Sequence, residues 1–233
     1  MTLPIVILPG MDGTGELLRD LADLLAPHRP VQVFDYPTHE LLGYDDLTSL
    51  VLNQLPAGPF VILGESFSGP IAIEISSHVP RAVGLILVST FIRHPIPSVV
   101  APLTNLFNHT WVPSGLVAAG LLGSTGTDDL KSRLRAILAK LPPATIRARA
   151  LAVCHVDKRA ALAKVTCPLL YLHGRNDRFI GRRHIREITA IRPDCEIHQL
   201  PAPHMLLESH PFQSAELIER FCRQAERTIQ STA

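Results

Sequence analysis

Ser66, Asp177 and His204 are the residues of this sequence best placed to do chemistry. A serine hydroxyl is a poor nucleophile at neutral pH, and an imidazole within hydrogen-bond reach makes it a better one by taking its proton during attack. A carboxylate on the far side of the ring fixes the tautomer and stabilises the cation that forms. Each of the three follows a stretch that reads as a strand. Ser66 lies in Phe60 to Gly69, F-V-I-L-G-E-S-F-S-G. Here four apolar residues run into a Gly-x-Ser turn, and Pro70, Ile71, Ala72, Ile73 and Ile75 open a helix. A serine at the apex of strand, tight turn and helix is a nucleophile elbow. The strained backbone there requires small neighbours two residues away. Gly64 meets that requirement on one side. On the other, Ser68 stands where a glycine is usual, with Gly69 one step later.

The rest of the chain must carry these groups to one place. At 233 residues, with 46% hydrophobic and 18% charged residues, it can bury a full core as one sizeable domain. A net charge of +1 without a basic run argues against a nucleic-acid surface. No apolar stretch approaches the roughly 18 residues of a membrane span. The start, M-T-L-P-I-V-I-L-P-G, lacks the basic region and cleavage site of a signal peptide and reads as a first strand. Cys154, Cys167, Cys195 and Cys222 show no C-x-x-C and no metal-ligand spacing, so they read as reduced thiols in a cytoplasmic protein. No metal or organic cofactor is expected.

Ile5 to Leu8 reads as a strand buried on both faces, followed by the small-residue loop Pro9-Gly10-Met11-Asp12-Gly13-Thr14-Gly15. Leucines at helical spacing run to about Ala26. Val31 to Phe34 is a second strand, and Leu47, Leu50, Val51 and Leu55 mark a helix. The Ser66 strand is third, its helix stopped by Pro80, and Gly84 to Val88 is fourth. This alternation predicts a parallel sheet covered on both faces, an α/β fold of about six strands. The alternation breaks over 92–165, which reads as a helical insertion over one sheet edge, a lid or cap. Within it, Leu130 to Leu141 and Ile146 to Cys154 fit helices, and Pro95 to Gly126 is apolar and punctuated by Pro and Gly. The core is then 1–91 and 166–233. Strands resume near Pro168 to Leu172 and Cys195 to Gln199, and the last helix carries Leu217, Ile218, Phe221 and Cys222.

Other candidates have plainer readings. His173 shapes the loop at a strand end; His198 and His210 read as structural or surface residues; Asp194 reads as a turn residue. Asp157, in the insertion, is the second choice of acid. Glu65 reads as a polar elbow residue bonded to nearby backbone, and Thr14 as a helix cap. The glycines after the first strand lack G-K-[S/T] and the G-x-G-x-x-G spacing, so phosphate binding is the weaker reading of that loop.

The order strand, loop, helix, elbow, helical insertion, late acid, later histidine resembles the α/β-hydrolase family over nearly the whole chain, without the two N-terminal strands of many members. Two further segments carry the resemblance. Tyr171-Leu172-His173-Gly174-Arg175-Asn176-Asp177 is similar to the family's H-G-x-x-D segment, with Asp177 at the acid position. Pro201-Ala202-Pro203-His204 is similar to the loop that holds its histidine. The resemblance implies an oxyanion hole from the backbone N–H groups of Phe67 and Met11. It implies a serine esterase cleaving carboxylic esters through an acyl-enzyme, since a serine nucleophile disfavours haloalkane and epoxide chemistry. The L-P-G-x-D-G-T-G opening is similar to that of esterases and acyl-ester-handling members, and the size and helical insertion are similar to esterases acting on pimeloyl-carrier-protein methyl ester, so the resemblance implies an acyl carrier protein as a partner beside a small acyl ester substrate. The alternative is a thioesterase or acyltransferase using carrier-protein or coenzyme A acyl groups. A non-catalytic ligand-binding member of the fold is the third class.

Overall fold

A computed structural model describes residues 2–95 and 119–232. Six strands, β1 (Ile5–Leu8), β2 (Val31–Val33), β3 (Phe60–Glu65), β4 (Ala82–Val88), β5 (Leu169–Gly174) and β6 (Glu196–Leu200), form one sheet in the order β2-β1-β3-β4-β5-β6. Every pairing is parallel, with Ile7 opposite Leu63, Leu63 opposite Ile86 and Leu87 opposite Tyr171. The central strands β1, β3 and β5 are buried at every position, whereas the edge strands β2 and β6 are half-buried throughout. That difference explains why the first set reads as unbroken apolar runs and the second does not.

The helices are α1 (Arg19–Leu25), α2 (Tyr44–Leu52), α3 (Gly69–His78), α4 (Asp128–Lys140), α5 (Pro143–His155), α6 (Arg159–Leu162), α7 (Arg182–Ile191), α8 (Leu206–Ser209) and α9 (Pro211–Thr232). They cover both sheet faces, as expected from βα alternation. One face packs Val6, Ile62, Leu85 and Tyr171 against Leu47, Ile71, Ile75 and Ile188. The other packs Ile5, Leu63, Ile86 and Leu172 against Leu21, Leu25, Ile218 and Phe221. Strand boundaries fall within two residues of the sequence-based expectation, and α5 begins three residues earlier, at Pro143. The first helix instead begins with a turn of 3₁₀ helix, Glu16–Leu18.

Between β4 and β5 the described residues carry α4, α5 and α6 and, in place of strands, one antiparallel bridge between Arg93 and Asp157. Thr127 caps α4 by accepting from the Leu130 amide, and Pro143 opens α5 at a position where its missing N–H costs nothing. Leu122, Leu130, Leu134, Ile137, Leu141 and Ile146 form a third apolar cluster with Leu17 and Met205. Most of the expected apolar stretch from Pro95 to Gly126 lies outside the described residues. Among the described residues no helix is long and apolar enough to cross a membrane.

Arg29 ties the two ends of the described chain together. It is buried, donating from Nε to Glu219 at 2.7 Å and from Nη1 to Glu226 at 3.0 Å and to the Leu3 carbonyl at 2.9 Å. The same Glu226 carboxylate accepts from the Leu3 amide at 2.9 Å. Removing one partner of a buried ion pair leaves uncompensated charge behind. Arg29→Met is therefore expected to lower unfolding free energy by about 3 kcal/mol, read as a lower urea midpoint with an unchanged slope.

Candidate active site

The turn after β3 places Ser66 where sequence alone suggested. Its φ is +46°, the left-handed region that L residues rarely adopt. The small neighbours are then a steric necessity. A Cβ on Gly64 would lie 2.6 Å from the Ser68 carbonyl oxygen and 2.8 Å from the Ala72 Cβ. A Cβ on Gly69 would lie 2.1 Å from Thr90 Oγ1. Thr90 in turn donates its hydroxyl proton to the Ser66 carbonyl, and Tyr171 donates to the Thr90 carbonyl at 2.8 Å. The strained turn is thus braced from the ends of two neighbouring strands.

Asp177 and His204 leave the ends of β5 and β6, on the same sheet rim. Their loops are stitched together by backbone bonds from Arg175 to Leu200 at 2.8 Å and from Asn176 to Ala202 at 3.0 Å. The approach is so close that a Cβ on Gly174 would lie 2.2 Å from the Pro203 carbonyl oxygen. The outcome is a continuous chain of hydrogen bonds. Ser66 Oγ lies 2.9 Å from His204 Nε2, and His204 Nδ1 lies 2.8 Å from Asp177 Oδ2. The second oxygen of Asp177 accepts from the Phe179 and Ile180 amides at 2.8 and 2.9 Å. Burial alone would raise the Asp177 carboxyl, but the hydrogen bond and charge of His204, with the two amides, outweigh it and hold the group below the usual carboxylate range. The Phe179 ring leans on His204 with centroids 5.3 Å apart.

The competing candidates lie elsewhere or are occupied. His173 is buried beside Tyr171, and burial lowers its pKa. His198 bonds Glu196 at 2.7 Å, His210 bonds Ser209 at 2.9 Å, and Asp194 pairs with Arg192 at 2.6 Å. Asp157 pairs with Arg159 at 2.6 Å, away from His204. Thr14 does not cap α1. Its amide and hydroxyl both donate to Asp12 Oδ2, at 3.0 and 2.8 Å, and Gly15 takes the N-cap position of the 3₁₀ turn instead. Among the described residues no group of His, Cys, Asp or Glu could hold a metal ion.

Glu65 sits in an unusual electrostatic setting for an elbow residue. Its carboxyl is buried, and Glu208 of α8, four residues after His204, acts on it by charge. Burial first, then the negative charges of Glu208 and Asp12, push Glu65 well above the carboxylate range. The signal was an acid between Gly64 and Ser66 at the end of an otherwise apolar strand. The Ser68 substitution also has a visible consequence. Its hydroxyl donates to the Pro9 carbonyl and accepts from Tyr36 at 2.7 Å, joining the elbow to the loop after β1.

The computed structure matches a hydrolase from Pseudomonas aeruginosa with a TM-score of 0.82 at 19% identity, covering 94% of this chain and 89% of that one. It also matches a thermophilic esterase from Thermogutta terrifontis with a TM-score of 0.81 at 20% identity, covering 96% and 90%. This chain has the α/β-hydrolase fold. Among curated proteins it is similar to the pimeloyl-[acyl-carrier protein] methyl ester esterase of Xylella fastidiosa, 28% identical over 93% of this chain and 94% of that one. No protein-family model matches the chain.

The Asp177 pKa carries a sign that can be measured. Its carboxyl is held lower in the folded chain than in the unfolded one, so its contribution to stability is complete above about pH 4 and is lost as pH falls through the lower folded value. The stability difference between wild type and Asp177→Asn, from denaturant titrations, is expected to stay constant above that pH and to shrink below it.

Proposed function

We propose that this protein is a serine hydrolase that cleaves carboxylic esters, with Ser66 as nucleophile, His204 as general base and acid, and Asp177 as the group that orients and stabilises the imidazole. The observation that carries the reading is the hydrogen-bond chain from Ser66 through His204 to Asp177, at 2.9 and 2.8 Å, starting from a serine held at positive φ.

In this mechanism Ser66 Oγ attacks the ester carbonyl carbon while His204 Nε2 takes its proton. The carbonyl π electrons move onto oxygen, giving an oxyanion that accepts from the Met11 and Phe67 amides. The tetrahedral centre collapses, the alkoxide leaves with the proton from His204, and an acyl-Ser66 remains. Water, deprotonated by the same nitrogen, attacks the acyl carbon; the second tetrahedral centre collapses, the bond to Oγ breaks, Ser66 Oγ leaves with the proton from His204, and the acid is released. Asp177, bonded to Nδ1, keeps Nε2 available to accept when the ring is neutral and stabilises the imidazolium that then donates from Nε2. A preorganised donor of this kind is worth roughly 10²–10³ in kcat, so the fixed path of Gly10-Met11 adds to what the triad supplies.

Residues 92–165 serve, in this reading, as a cap. Two features support it. The Met205 amide donates to the Leu121 carbonyl at 3.1 Å, and the apolar cluster of α4 and α5 includes Met205 and contacts Met11. Apolar side chains of the cap thereby reach the residue after the general base and the residue of the oxyanion donor, which suits an acyl chain. The likeness to esterases whose named substrate is a pimeloyl chain on an acyl carrier protein supports a carrier-borne ester, with the carrier protein as partner.

The test is hydrolysis of p-nitrophenyl esters of graded acyl length. Wild type is expected to turn them over with a length optimum, and Ser66→Ala to lose about 10⁶ in kcat. Equal turnover by Ser66→Ala would overturn the assignment, and a strong preference for matched acyl thioesters would move the reading to thioesterase.

A further inference from the structure

The loop Pro9-Gly10-Met11-Asp12 is held at successive polar groups. Ser68 bonds the Pro9 carbonyl, and the Gly13 amide bonds the Gly10 carbonyl at 3.1 Å. The remaining carbonyls are taken by Arg149, from the middle of α5. Its Nη1 donates to the Met11 carbonyl and to the Asp12 carbonyl, each at 2.7 Å, and its Nη2 to the Pro37 carbonyl at 3.1 Å. Arg149 is 2% exposed and lies 5.8 Å from the Tyr36 ring centroid.

This is an unusual use of a buried cation. A guanidinium out of water is costly unless paired or fully hydrogen-bonded. Arg149 donates to backbone carbonyls rather than to a carboxylate, and Asp12 acts on it through charge alone. A leucine would fill the same space at lower cost if packing were all that the site required. The loop has also adapted to the arginine. Gly13 has φ +73°, and a Cβ there would lie 2.4 Å from Nη1. Only a residue without a side chain lets the loop pass this close.

We propose that Arg149 is a positioning residue for the oxyanion donor, fixing the peptide groups that follow Met11 and so making the aim of its N–H depend on the seating of α5. The inference rests on the serine-hydrolase reading for its effect on rate, but not for its effect on the loop. A helix of the segment after β4 then tunes transition-state stabilisation through two hydrogen bonds to a loop about 138 residues away in sequence, with a third to Pro37 fixing the guanidinium. An interaction that acts on the oxyanion changes kcat rather than ground-state binding.

The test uses Arg149→Ala, Arg149→Lys and Gly13→Ala in the full chain, with p-nitrophenyl acetate and with [¹³C-methyl]methionine labelling. Met11 is one of three methionines, so its resonance reports the order of the loop without any turnover. Arg149→Ala is expected to lower kcat about 10²-fold with KM unchanged within twofold, and to shift or broaden the Met11 signal. Millimolar guanidinium should restore part of the lost rate. Arg149→Lys, which lacks the planar fork, should not recover wild-type kcat. Gly13→Ala should reproduce the Arg149→Ala phenotype by displacing the guanidinium. A folded Arg149→Ala with wild-type kcat overturns the proposal, as does a rate loss with an unmoved Met11 signal and no rescue. If wild type hydrolyses no ester, the hydrolase reading fails on its own, and the Met11 signal still decides whether Arg149 holds the loop. Should Arg149→Ala not fold, Gly13→Ala keeps the comparison, because it leaves the arginine in the chain.

Discussion

The left-handed backbone at Ser66 is the constraint on which the rest of the structure depends. A φ of +46° at a residue with a side chain costs energy and persists only if its surroundings enforce it. Gly64 and Gly69 permit it by lacking the side chains that would meet Ser68, Ala72 and Thr90, and the enforcement comes from Thr90, which holds the Ser66 carbonyl, and from Tyr171, which holds Thr90. These contacts exist because β3 sits between β1 and β4 in an all-parallel sheet. Parallel strands bring the ends of β1, β3, β4, β5 and β6 to one rim, so the serine, the acid, the histidine and the loop after β1 arrive together. Ligand sites of open α/β sheets lie at that carboxyl edge for the same reason.

Much of this arrangement was legible in the sequence because it is written in local patterns. Buried parallel strands are continuous apolar runs, and Phe60 to Glu65 and Leu169 to Gly174 are both buried throughout. The elbow announces itself through small residues at fixed offsets. Asp177 and His204 could be singled out because each follows a strand and ends a recognisable loop. Their meeting with Ser66 was an inference from topology, and the structure supplies the distances.

What was not legible depends on which distant segments touch. Glu65 reads as a polar elbow residue on nearby backbone, and nothing in its local sequence shows that Glu208, 143 positions on, bears on it by charge. Ser68 looks like a blemish in a motif until its hydroxyl is seen on the Pro9 carbonyl. Arg149 looks like one more charge on a helix until its three acceptors come into view. Thr14 reads as a cap from its type and position, but Gly15 is the N-cap residue and the Thr14 hydroxyl turns back to Asp12. In each case the sequence gives the chemical type and leaves the partner unstated.

The salt bridge between Arg29 and Glu226 spans 197 residues, and this bears on how the molecule assembles. Until α9 docks, the sheet face bearing Ile5, Leu63, Ile86 and Leu172 lacks much of its cover. Closing so long a loop adds little to the thermodynamic cost, because the entropy grows only with the logarithm of length. Its effect is on the clock, since contacts between remote segments form late. The C-terminal helix is therefore a latch that turns a half-wrapped, sticky sheet into a finished protein, and until it shuts the exposed apolar face is open to association with other unfinished chains.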